Sequence, residues 1–298
     1  MKPINIDSVD CLVPFFEKVG YEACEYSFTT MYMWQQSYGF RYLCKDEFAL
    51  IFGEYEGHIF MINPLCEMKY LDQAFEYGEA IFSQLDMPLR FRAVTQEIKE
   101  YLERRYADTM EYINSRDAWD YFYEGEKMRT LSGRKLHSKK NHLNAFLKEY
   151  GGRFEYKLLT PSEFHQCIDI EERWAQTRER DENIISERLA LPKIFANYKF
   201  LPDLRVGGIY VDGRLEAFTI GDYLNPDTAL IHVEKANPEI RGLYVAMSVL
   251  FLRNEFPEVL FVNREEDLGL EGLRKAKLSY KPLKMVEKYY VKQAGLEN

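Results

Sequence analysis

The run Asn263-Arg264-Glu265-Glu266-Asp267 sets an amide, a guanidinium and three carboxylates directly after a short apolar segment, residues 259–262. The pattern predicts that this segment is a strand, and ligands of α/β proteins bind beyond the carboxyl ends of strands. Arg264 and Asn263 can donate hydrogen bonds to acyl or phosphate oxygens, with Asp267 orienting Arg264. The alternative is a loop network of ion pairs in which Asp267 caps the next helix.

His232 and Glu234 form a second candidate pair. They lie two residues apart in the predicted strand 229–234, so their side chains share one face of it. Imidazole and carboxylate groups are common general bases, so His232 or Glu234 is the candidate that takes a proton from an attacking group. A core histidine whose hydrogen bonds are satisfied inside the protein is the alternative.

An acid-free basic block interrupts an acidic chain. The formal net charge is −9, yet residues 127–148 carry seven lysines and arginines and neither aspartate nor glutamate. Within this block, Lys135, Lys139 and Lys140 can bind phosphates of a nucleic acid. Asn141 is unfavourable inside a helix, which indicates either a ligand contact or hydrogen bonds across a domain junction. A solvated basic face without a ligand is the alternative for the lysines.

Several protein classes are disfavoured. The sequence contains no Walker loop, nucleophile elbow, His-Glu-x-x-His motif or dinucleotide fingerprint. The longest apolar runs, such as residues 245–252, are too short to cross a bilayer, and the N-terminal residues do not resemble a signal peptide. His137 and His142 lie off a common helix face and the five cysteines lack metal-ligand spacing, so no metal site is expected. We therefore expect a cytoplasmic protein with reduced cysteines and no transmembrane segment.

Patterning divides the chain into two α/β halves. We predict an N-terminal domain over residues 1–130, in which helices surround a strand meander. The predicted C-terminal domain, residues 131–298, begins with a basic junction helix over 134–150 that ends at Gly151-Gly152.

The element order of the second half is that of GNAT acyltransferases. A hairpin with a tight turn at Asp212-Gly213 leads to strand 229–234, helix 240–255 and strand 259–262. In the GNAT fold these two strands are parallel and splay apart, and the N-terminus of the helix between them can hold a phosphate. We therefore predict an α/β (α+β) fold of tandem GNAT-like acyltransferase domains with mixed sheets.

The turn before that helix departs from the pyrophosphate-binding pattern of acetyl-CoA enzymes, which resembles Gln/Arg-x-x-Gly-x-Gly/Ala. This chain has Glu239-Ile240-Arg241-Gly242-Leu243-Tyr244. The carboxylate of Glu239 would repel pyrophosphate, and the ring of Tyr244 needs the space that the phosphates would occupy. The tyrosine that protonates the thiolate in those enzymes has no counterpart in the run 275–280. No acetyl-CoA cofactor is therefore expected, while Arg241 and Tyr244 remain candidates for substrate contact.

Two further cations, Arg274 and Lys277, lie on a helix predicted over 268–279. They can bind a phosphate of the substrate or simply stabilise the C-terminus of their helix.

Residues 261–282, which read Phe-Val-Asn-Arg-Glu-Glu-Asp-Leu-Gly-Leu-Glu-Gly-Leu-Arg-Lys-Ala-Lys-Leu-Ser-Tyr-Lys-Pro, resemble the C-terminal catalytic region of phosphatidylglycerol lysyltransferases. The soluble stand-alone relatives of those enzymes are more similar still. Segments 133–144 and 28–34 add matches, so the resemblance spans nearly the whole chain. It implies tandem GNAT-like domains, kinship with the Fem peptidoglycan aminoacyltransferases and an aminoacyl-tRNA ester as donor. The three lysines of the basic block would then hold the acceptor stem of the tRNA.

The favoured function is therefore transfer of an aminoacyl group from aminoacyl-tRNA to an amine or hydroxyl of an acceptor. That acceptor could be a small molecule, a lipid headgroup or a peptide. Two alternatives stay open. One is an acyl-CoA-dependent N-acyltransferase, and the other is a non-catalytic tandem GNAT module that binds a nucleotide, a lipid headgroup or a protein.

Overall fold

The computed structural model describes residues 1–176 and 182–296 and is a mixed α/β protein. Its strands are β1 (Lys2–Pro3), β2 (Arg41–Cys44), β3 (Phe48–Tyr55), β4 (His58–Met61), β5 (Leu65–Cys66), β6 (Arg90–Val94), β7 (Met110–Asn114), β8 (Asp120–Glu124), β9 (Phe154–Leu158), β10 (Arg205–Val211), β11 (Arg214–Asn225), β12 (Thr228–Ala236), β13 (Phe261–Asn263), β14 (Lys284–Val286) and β15 (Tyr289–Gln293). Its α-helices are α1 (Val9–Phe16), α2 (Phe28–Met33), α3 (Gln35–Tyr38), α4 (Leu71–Gln84), α5 (Gln96–Tyr106), α6 (Gly125–Thr130), α7 (His137–Tyr150), α8 (Phe164–Gln176), α9 (Glu182–Ala196), α10 (Leu243–Glu255) and α11 (Glu271–Leu278). None of the helices described is both long and apolar enough to cross a membrane.

The chain forms two compact units. Unit 1 comprises Met1–Asp120 together with the residues from Val286 onward, and unit 2 comprises Tyr121–Met285. The domains predicted from the sequence, 1–130 and 131–298, differ from these units in two places. Helix α6 lies in unit 2, and strand β15 lies in the sheet of unit 1.

Lys288 is held in unit 1 by two acids. This lysine is 3 % exposed, and its ammonium lies 2.8 Å from a carboxylate oxygen of Asp120 and 2.9 Å from one of Glu25. A buried ammonium is tolerated only where carboxylates compensate its charge, and both of these acids belong to unit 1. Sequence patterning alone does not reveal such distant partners.

Unit 1 is built on a sheet with the strand order β1-β2-β3-β4-β6-β15-β7, and β5 pairs with β3 beside this path. The strand meander expected in the first half corresponds to the antiparallel strands β2, β3 and β4. Helix α4 buries Leu71, Phe75 and Phe82 at helical spacing. Phe82 packs against Phe52 of β3 with ring centroids 5.7 Å apart, so helix and sheet share one aromatic core.

Unit 2 is built on a sheet with the strand order β14-β8-β13-β12-β11-β10-β9. Strands β12 and β13 are parallel, with Thr228 opposite Phe261 and Leu230 opposite Asn263. The register ends at that second pair, while β12 runs on to Ala236. The predicted parallel pair is therefore confirmed, and we call the region beyond the end of β13, beside residues 231–236 of β12, the cleft.

The hairpin between β10 and β11 is also confirmed. Asp212 and Gly213 have φ angles of 50° and 79°. Positive φ at both central residues is the type I′ geometry, which matches the twist of the flanking strands.

Helix α10 packs against the basic helix α7 through a glycine. Gly242 caps α10 with a φ of 84°, and a Cβ atom built on it would lie 2.2 Å from the backbone oxygen of His142 in α7. Only glycine permits this approach. Phe146 of α7 lies in the same apolar core as Leu243 and Phe251 of α10, so the inner face of the basic helix is part of the core of unit 2.

One expectation about the cysteines is wrong. Cys11 of α1 and Cys44 of β2 are joined in a disulfide, although all five cysteines were expected to be reduced. Their separation of 33 residues carries no recognisable signal, because the packing of a helix on a strand brings them together. Cys24, Cys66 and Cys167 are buried.

Candidate functional site

The loop that follows β13 is held by hydrogen bonds to β8 and within itself. The backbone N–H of Arg264 donates to the carbonyl of Tyr121 in β8 over 3.0 Å, and the N–H of Tyr121 donates to the carbonyl of Glu265 over 3.1 Å. Asn263 is fully buried, and its Oδ1 accepts from the N–H of Glu265 over 2.7 Å. Glu265 and Leu268 have φ angles of 55° and 54°, which is strained for these residue types. Asn263, predicted to donate to a substrate, therefore lies inside the protein and shapes this turn.

Asp267 anchors the far end of the loop and pairs with Arg274, not with Arg264 as predicted. Its buried carboxylate accepts hydrogen bonds from the Tyr121 hydroxyl at 2.6 Å, the Gly269 N–H at 3.0 Å and the Arg274 guanidinium at 2.9 and 2.8 Å. Burial raises the pKa of Asp267, but these hydrogen bonds outweigh it and lower the pKa to about 2. The prediction failed because α11 turns Arg274 back toward the loop that precedes it.

Lys277 holds the same loop from α11. Its ammonium donates hydrogen bonds to the carbonyl oxygens of Arg264, Glu265 and Glu266. An ammonium has three donors, so these contacts match its hydrogen-bonding capacity. Arg274 and Lys277, predicted either to bind a substrate phosphate or to stabilise the C-terminus of their helix, both hold the preceding loop.

Arg264 reaches from this loop toward β12. Its Nη2 donates to Oε1 of Glu234 over 2.9 Å, and both side chains are 11 % exposed. Its guanidinium carbon lies 4.9 Å from the centre of the Tyr280 ring. Among the described residues, its Nη1 is buried and has no hydrogen-bond partner. A buried donor without a partner costs about 1–3 kcal/mol, so Nη1 is ready to donate to an incoming oxygen.

Lys139 of α7 completes a group of four residues, Arg264, Glu234, Tyr280 and Lys139, which we call the cleft cluster. The ammonium of Lys139 lies 4.0 Å from the centre of the Tyr280 ring. Burial lowers the pKa of Lys139, the charge of Arg264 lowers it further and Glu234 opposes both, which gives a pKa of about 8. The cluster thus carries two cations and one carboxylate beside the open ends of β12 and β13.

The other predicted contacts of the basic block face solvent. Lys135 is exposed in the short turn before α7, and Lys140 and Asn141 are exposed along α7. Arg241 is exposed before α10. The structure therefore separates Lys139, which turns toward the cleft cluster, from the two lysines with which the sequence grouped it.

His232 lies in a β-bulge of β12, created where the register against β11 shifts by one residue. It is buried between two acids, with Nε2 3.0 Å from Asp222 and Nδ1 3.1 Å from Glu265. Burial lowers the pKa of His232, but Asp222 and Glu265 outweigh it and raise the pKa to about 10. A histidine that is protonated at neutral pH cannot take a proton, so His232 does not fit the predicted role of base. Glu234 is the remaining candidate.

The turn before α10 is filled by the protein itself. The Tyr244 hydroxyl accepts a hydrogen bond from the indole N–H of Trp174 over 3.1 Å, and burial raises the pKa of Tyr244. Gly242 lies against the backbone of His142. Pyrophosphate needs open N–H groups at the start of a helix, and these contacts crowd its approach.

Sequence reasoning missed Tyr280 as a site residue. This tyrosine is 6 % exposed, and its ring is the shared platform of Arg264 and Lys139. A tyrosine that follows a helix with several cations was the available signal, because cations pack on aromatic faces. The spacing from Lys139 gives no such signal, since the two residues meet only in the folded chain.

A second buried cluster was also missed. Lys235, next to Glu234 in β12, has its ammonium 2.6 Å from Glu187 and 3.4 Å from Glu171. The same ammonium lies 3.4 Å from the centre of the Trp174 ring. Burial and then the charge of Glu187 raise the pKa of Glu171 to about 7. Glu234 and Lys235, which are adjacent in β12, thus belong to different charge clusters in unit 2.

Comparisons with known proteins identify relatives across the whole chain. A family model described as phosphatidylglycerol lysyltransferase, C-terminal, matches residues 16–292. A conserved protein of unknown function from Bacteroides thetaiotaomicron is 29 % identical, with a TM-score of 0.92 and 98 % of each chain covered. The structure of L-PGS from Bacillus licheniformis is 12 % identical, with a TM-score of 0.71 and coverage of 99 % of this chain and 94 % of that chain.

Two more distant structures share the fold. FemX is 8 % identical, with a TM-score of 0.65 and 96 % of each chain covered. A tandem GNAT protein from the clavulanic acid biosynthesis pathway is 10 % identical, with a TM-score of 0.52 and coverage of 100 % of this chain and 98 % of that chain. The predicted tandem GNAT-like fold and its likeness to the Fem proteins are confirmed.

Proposed function

Since the chain belongs to the phosphatidylglycerol lysyltransferase C-terminal family, we propose that it transfers an aminoacyl group from aminoacyl-tRNA to an amine or hydroxyl acceptor. The family and the GNAT-like fold support an acyltransferase. The donor and the acceptor class are the finer parts of the proposal. We propose that the reaction occurs in the cytoplasm, where charged tRNA is made.

The observation that carries the proposal is the buried Nη1 of Arg264, which has no hydrogen-bond partner among the described residues. A fixed cationic donor in a partly enclosed cleft stabilises charge that develops on a carbonyl oxygen far better than water does. Lys139 adds a second cation on the same aromatic ring. Two cations and one carboxylate suit a tetrahedral oxyanion next to an attacking amine or hydroxyl.

The chemistry balances without an oxidant or a cofactor. The acceptor nitrogen or oxygen attacks the ester carbonyl carbon of the aminoacyl group, and the electron pair of the C=O bond moves onto the oxygen. Arg264 and Lys139 stabilise that oxyanion. The ester bond to the ribose oxygen then breaks, an amide or a new ester remains, and the proton of the acceptor ends on the departing ribose oxygen.

Glu234 is the residue through which that proton passes. It is the carboxylate of the cleft cluster, whereas the nearby His232 is held protonated by Asp222 and Glu265. The pairing with Arg264 keeps Glu234 oriented toward the cleft, and positioning of this kind contributes much of the rate of acyl transfer.

The basic helix supports a tRNA partner. Lys135 and Lys140 are exposed beside Lys139, so the same segment that reaches the cleft cluster can bind phosphates outside it. An acyl-CoA donor is disfavoured by Tyr244 and Gly242, whose neighbours crowd the turn before α10. The acceptor can be a small molecule, a lipid headgroup or a peptide.

A transfer assay tests this function. Total tRNA charged with labelled amino acids is incubated with the protein and with fractionated small molecules, lipids and peptides from cells. We expect label to leave the tRNA and appear in one fraction, and Arg264→Ala to prevent this. If label stays on the tRNA while the protein still binds tRNA tightly, the non-catalytic binding module is the correct function.

A further inference from the structure

Strand β9 ends the sheet of unit 2, and one of its edges pairs with no described strand. Its other edge pairs with β10 in antiparallel register. The N–H of Leu159 donates to the carbonyl of Val206 over 2.7 Å, and the carbonyl of Arg153 accepts from the N–H of Asp212 over 2.9 Å. These two bonds fix which residues of β9 use their backbone groups inside the sheet.

The remaining backbone groups of β9 point outward. Hydrogen-bonded residues alternate along an antiparallel pair, so Glu155 and Lys157 also bond to β10. The other three residues of the strand direct their N–H and C=O groups away from the sheet, and these are Phe154, Tyr156 and Leu158. A row of such groups is a template on which another strand can pair.

The side chains of β9 follow a pattern that mirrors itself about Tyr156. An acid and a base flank this tyrosine, and an apolar residue lies outside each of them, as Phe-Glu-Tyr-Lys-Leu. The side chains of Glu155 and Lys157 are 64 % and 41 % exposed, and Leu158 is 49 % exposed. Charges on an edge strand usually prevent pairing with foreign strands, but this order of charges is complementary to a second copy of itself.

A two-fold axis through Tyr156 satisfies both the backbone and the charges. When two β9 strands pair antiparallel about this axis, Phe154 faces Leu158 of the second copy, and every outward N–H and C=O finds a partner. Glu155 then faces Lys157 of the second copy in the non-hydrogen-bonded pairs, where side chains are closest. Moving the axis by one residue would set Glu155 or Lys157 opposite its own copy, where like charges repel. The charges therefore select one register and one partner.

We propose that the outer edge of β9 is a self-association site, through which two copies of the chain join their unit 2 sheets into one continuous sheet. The exposed side chain of Leu158 would then lie beside Phe154 of the second copy. A single pair of five-residue strands is a small interface, so the association is reversible and depends on protein concentration. This pairing does not depend on the proposed acyl transfer.

Sedimentation velocity of the full chain across the micromolar range tests the pairing. We expect monomers at the lowest concentrations and dimers at the highest. Glu155→Lys and Lys157→Glu should each raise the dissociation constant of the dimer roughly tenfold or more, because each sets like charges opposite one another twice. The double variant Glu155→Lys with Lys157→Glu restores opposite charges and should dimerise as the wild type does. An equimolar mixture of the two single variants should form a mixed dimer, because their charges are complementary.

Glu47→Lys is a matched control, because Glu47 is exposed between β2 and β3 of unit 1 and its replacement changes the net charge equally. Glu47→Lys should dimerise as the wild type does. Leu158→Pro tests the backbone bonds, because it removes an outward N–H while the bonds to β10 remain, and it should also raise the dissociation constant. Thermal unfolding of each variant checks that the fold is intact.

Three results would each overturn the proposal. The first is a wild type that stays monomeric throughout the concentration range. The second is a Glu155→Lys variant that dimerises as well as Glu47→Lys. The third is a mixture of the two single variants that forms no more dimer than either variant alone.

Discussion

Arg264 and Glu234 bridge the gap between two strands that no longer pair. Glu234 lies on β12 four residues beyond Leu230, where the register with β13 ends, and Arg264 lies directly after β13. Nη2 of Arg264 is nevertheless 2.9 Å from Oε1 of Glu234. An ion pair thus joins the two chain segments beyond their last backbone pair, at the position where we propose that the acyl group reacts.

Arg264→Ala should abolish transfer while tRNA binding stays nearly unchanged. Loss of one oxyanion donor typically lowers the rate roughly a hundredfold or more, whereas one cleft residue adds little to a phosphate footprint. Arg264→Lys is the matched control. Arg264→Lys keeps the positive charge but lacks the planar guanidinium with its two terminal nitrogens, so its transfer rate should also be low. Single-turnover transfer and filter binding measure both effects, and equal rates for Arg264→Ala and wild type would contradict the assignment.

The lysines of the basic block should separate into two classes. The double variant Lys135→Ala with Lys140→Ala should make the slope of log binding constant against log salt concentration shallower by about two. Lys139→Ala should instead lower transfer and leave that slope close to wild type. Lys157→Ala serves as control, since Lys157 lies outside the basic block and is paired with Glu155. Filter-binding titrations at several salt concentrations measure the slopes. If Lys135→Ala with Lys140→Ala binds tRNA as the wild type does, the outer face of α7 is only solvated.

His232 should make stability depend on pH in an unusual range. Its pKa is about 10 in the folded protein, against 6.5 for the ordinary side chain. The stabilisation that protonated His232 gives the folded protein is therefore fully present below about pH 6.5 and is lost as pH rises through about 10. His232→Gln should lower the free energy of unfolding by roughly 3 kcal/mol near pH 6, with the difference shrinking toward pH 10.

Urea unfolding at a series of pH values measures this difference, with the exposed His58→Gln as control. Parallel curves for wild type and His232→Gln from pH 6 to 10 would show that the charged triad with Asp222 and Glu265 does not form.

Acetyl-CoA should bind weakly. Tyr244 is bonded to Trp174 and Gly242 lies against α7, so the turn before α10 has little room for pyrophosphate. Calorimetry should detect no binding in the micromolar range that is usual for cofactors. A saturable micromolar isotherm would instead favour the acyl-CoA-dependent transferase.

Gly242→Ala should destabilise unit 2. The added Cβ atom would lie 2.2 Å from a backbone oxygen of α7, and φ is 84°. We expect a loss of roughly 2–4 kcal/mol from combined strain and overpacking. Gly39→Ala is a matched control, because Gly39 also has a left-handed backbone, with a φ of 54°, but has nothing within 4 Å of an added Cβ atom. Its cost should be about 1 kcal/mol, from the backbone alone. Thermal unfolding compares the two, and equal losses would refute the close packing of α7 on α10.

The sequence predicted which segments of unit 2 carry the site but not how their side chains pair. The parallel strands, the helix between them and the basic helix follow from periodicity and turn residues, which are local properties. Arg264 was found because it follows a strand. Its partner was assigned to Asp267, three residues away, whereas the structure pairs it with Glu234 across the cleft.

His232 illustrates the same limit. Alternation along a strand set His232 and Glu234 on one face, but a β-bulge and two distant acids decide where the imidazole lies and keep it charged. Bulges and buried ion pairs depend on residues far apart in the chain. A pattern read over a few positions therefore identifies candidate side chains and cannot assign their protonation states.

Strand β15 gives the chain a particular order of assembly during synthesis. It lies between β6 and β7 in the sheet of unit 1, yet all of unit 2 is translated before it. During synthesis, β6 and β7 therefore cannot be joined through β15 until unit 2 has been translated. Until β15 arrives, the open edges of β6 and β7 are exposed to the chaperones that protect nascent chains and to mispairing with neighbouring polypeptides.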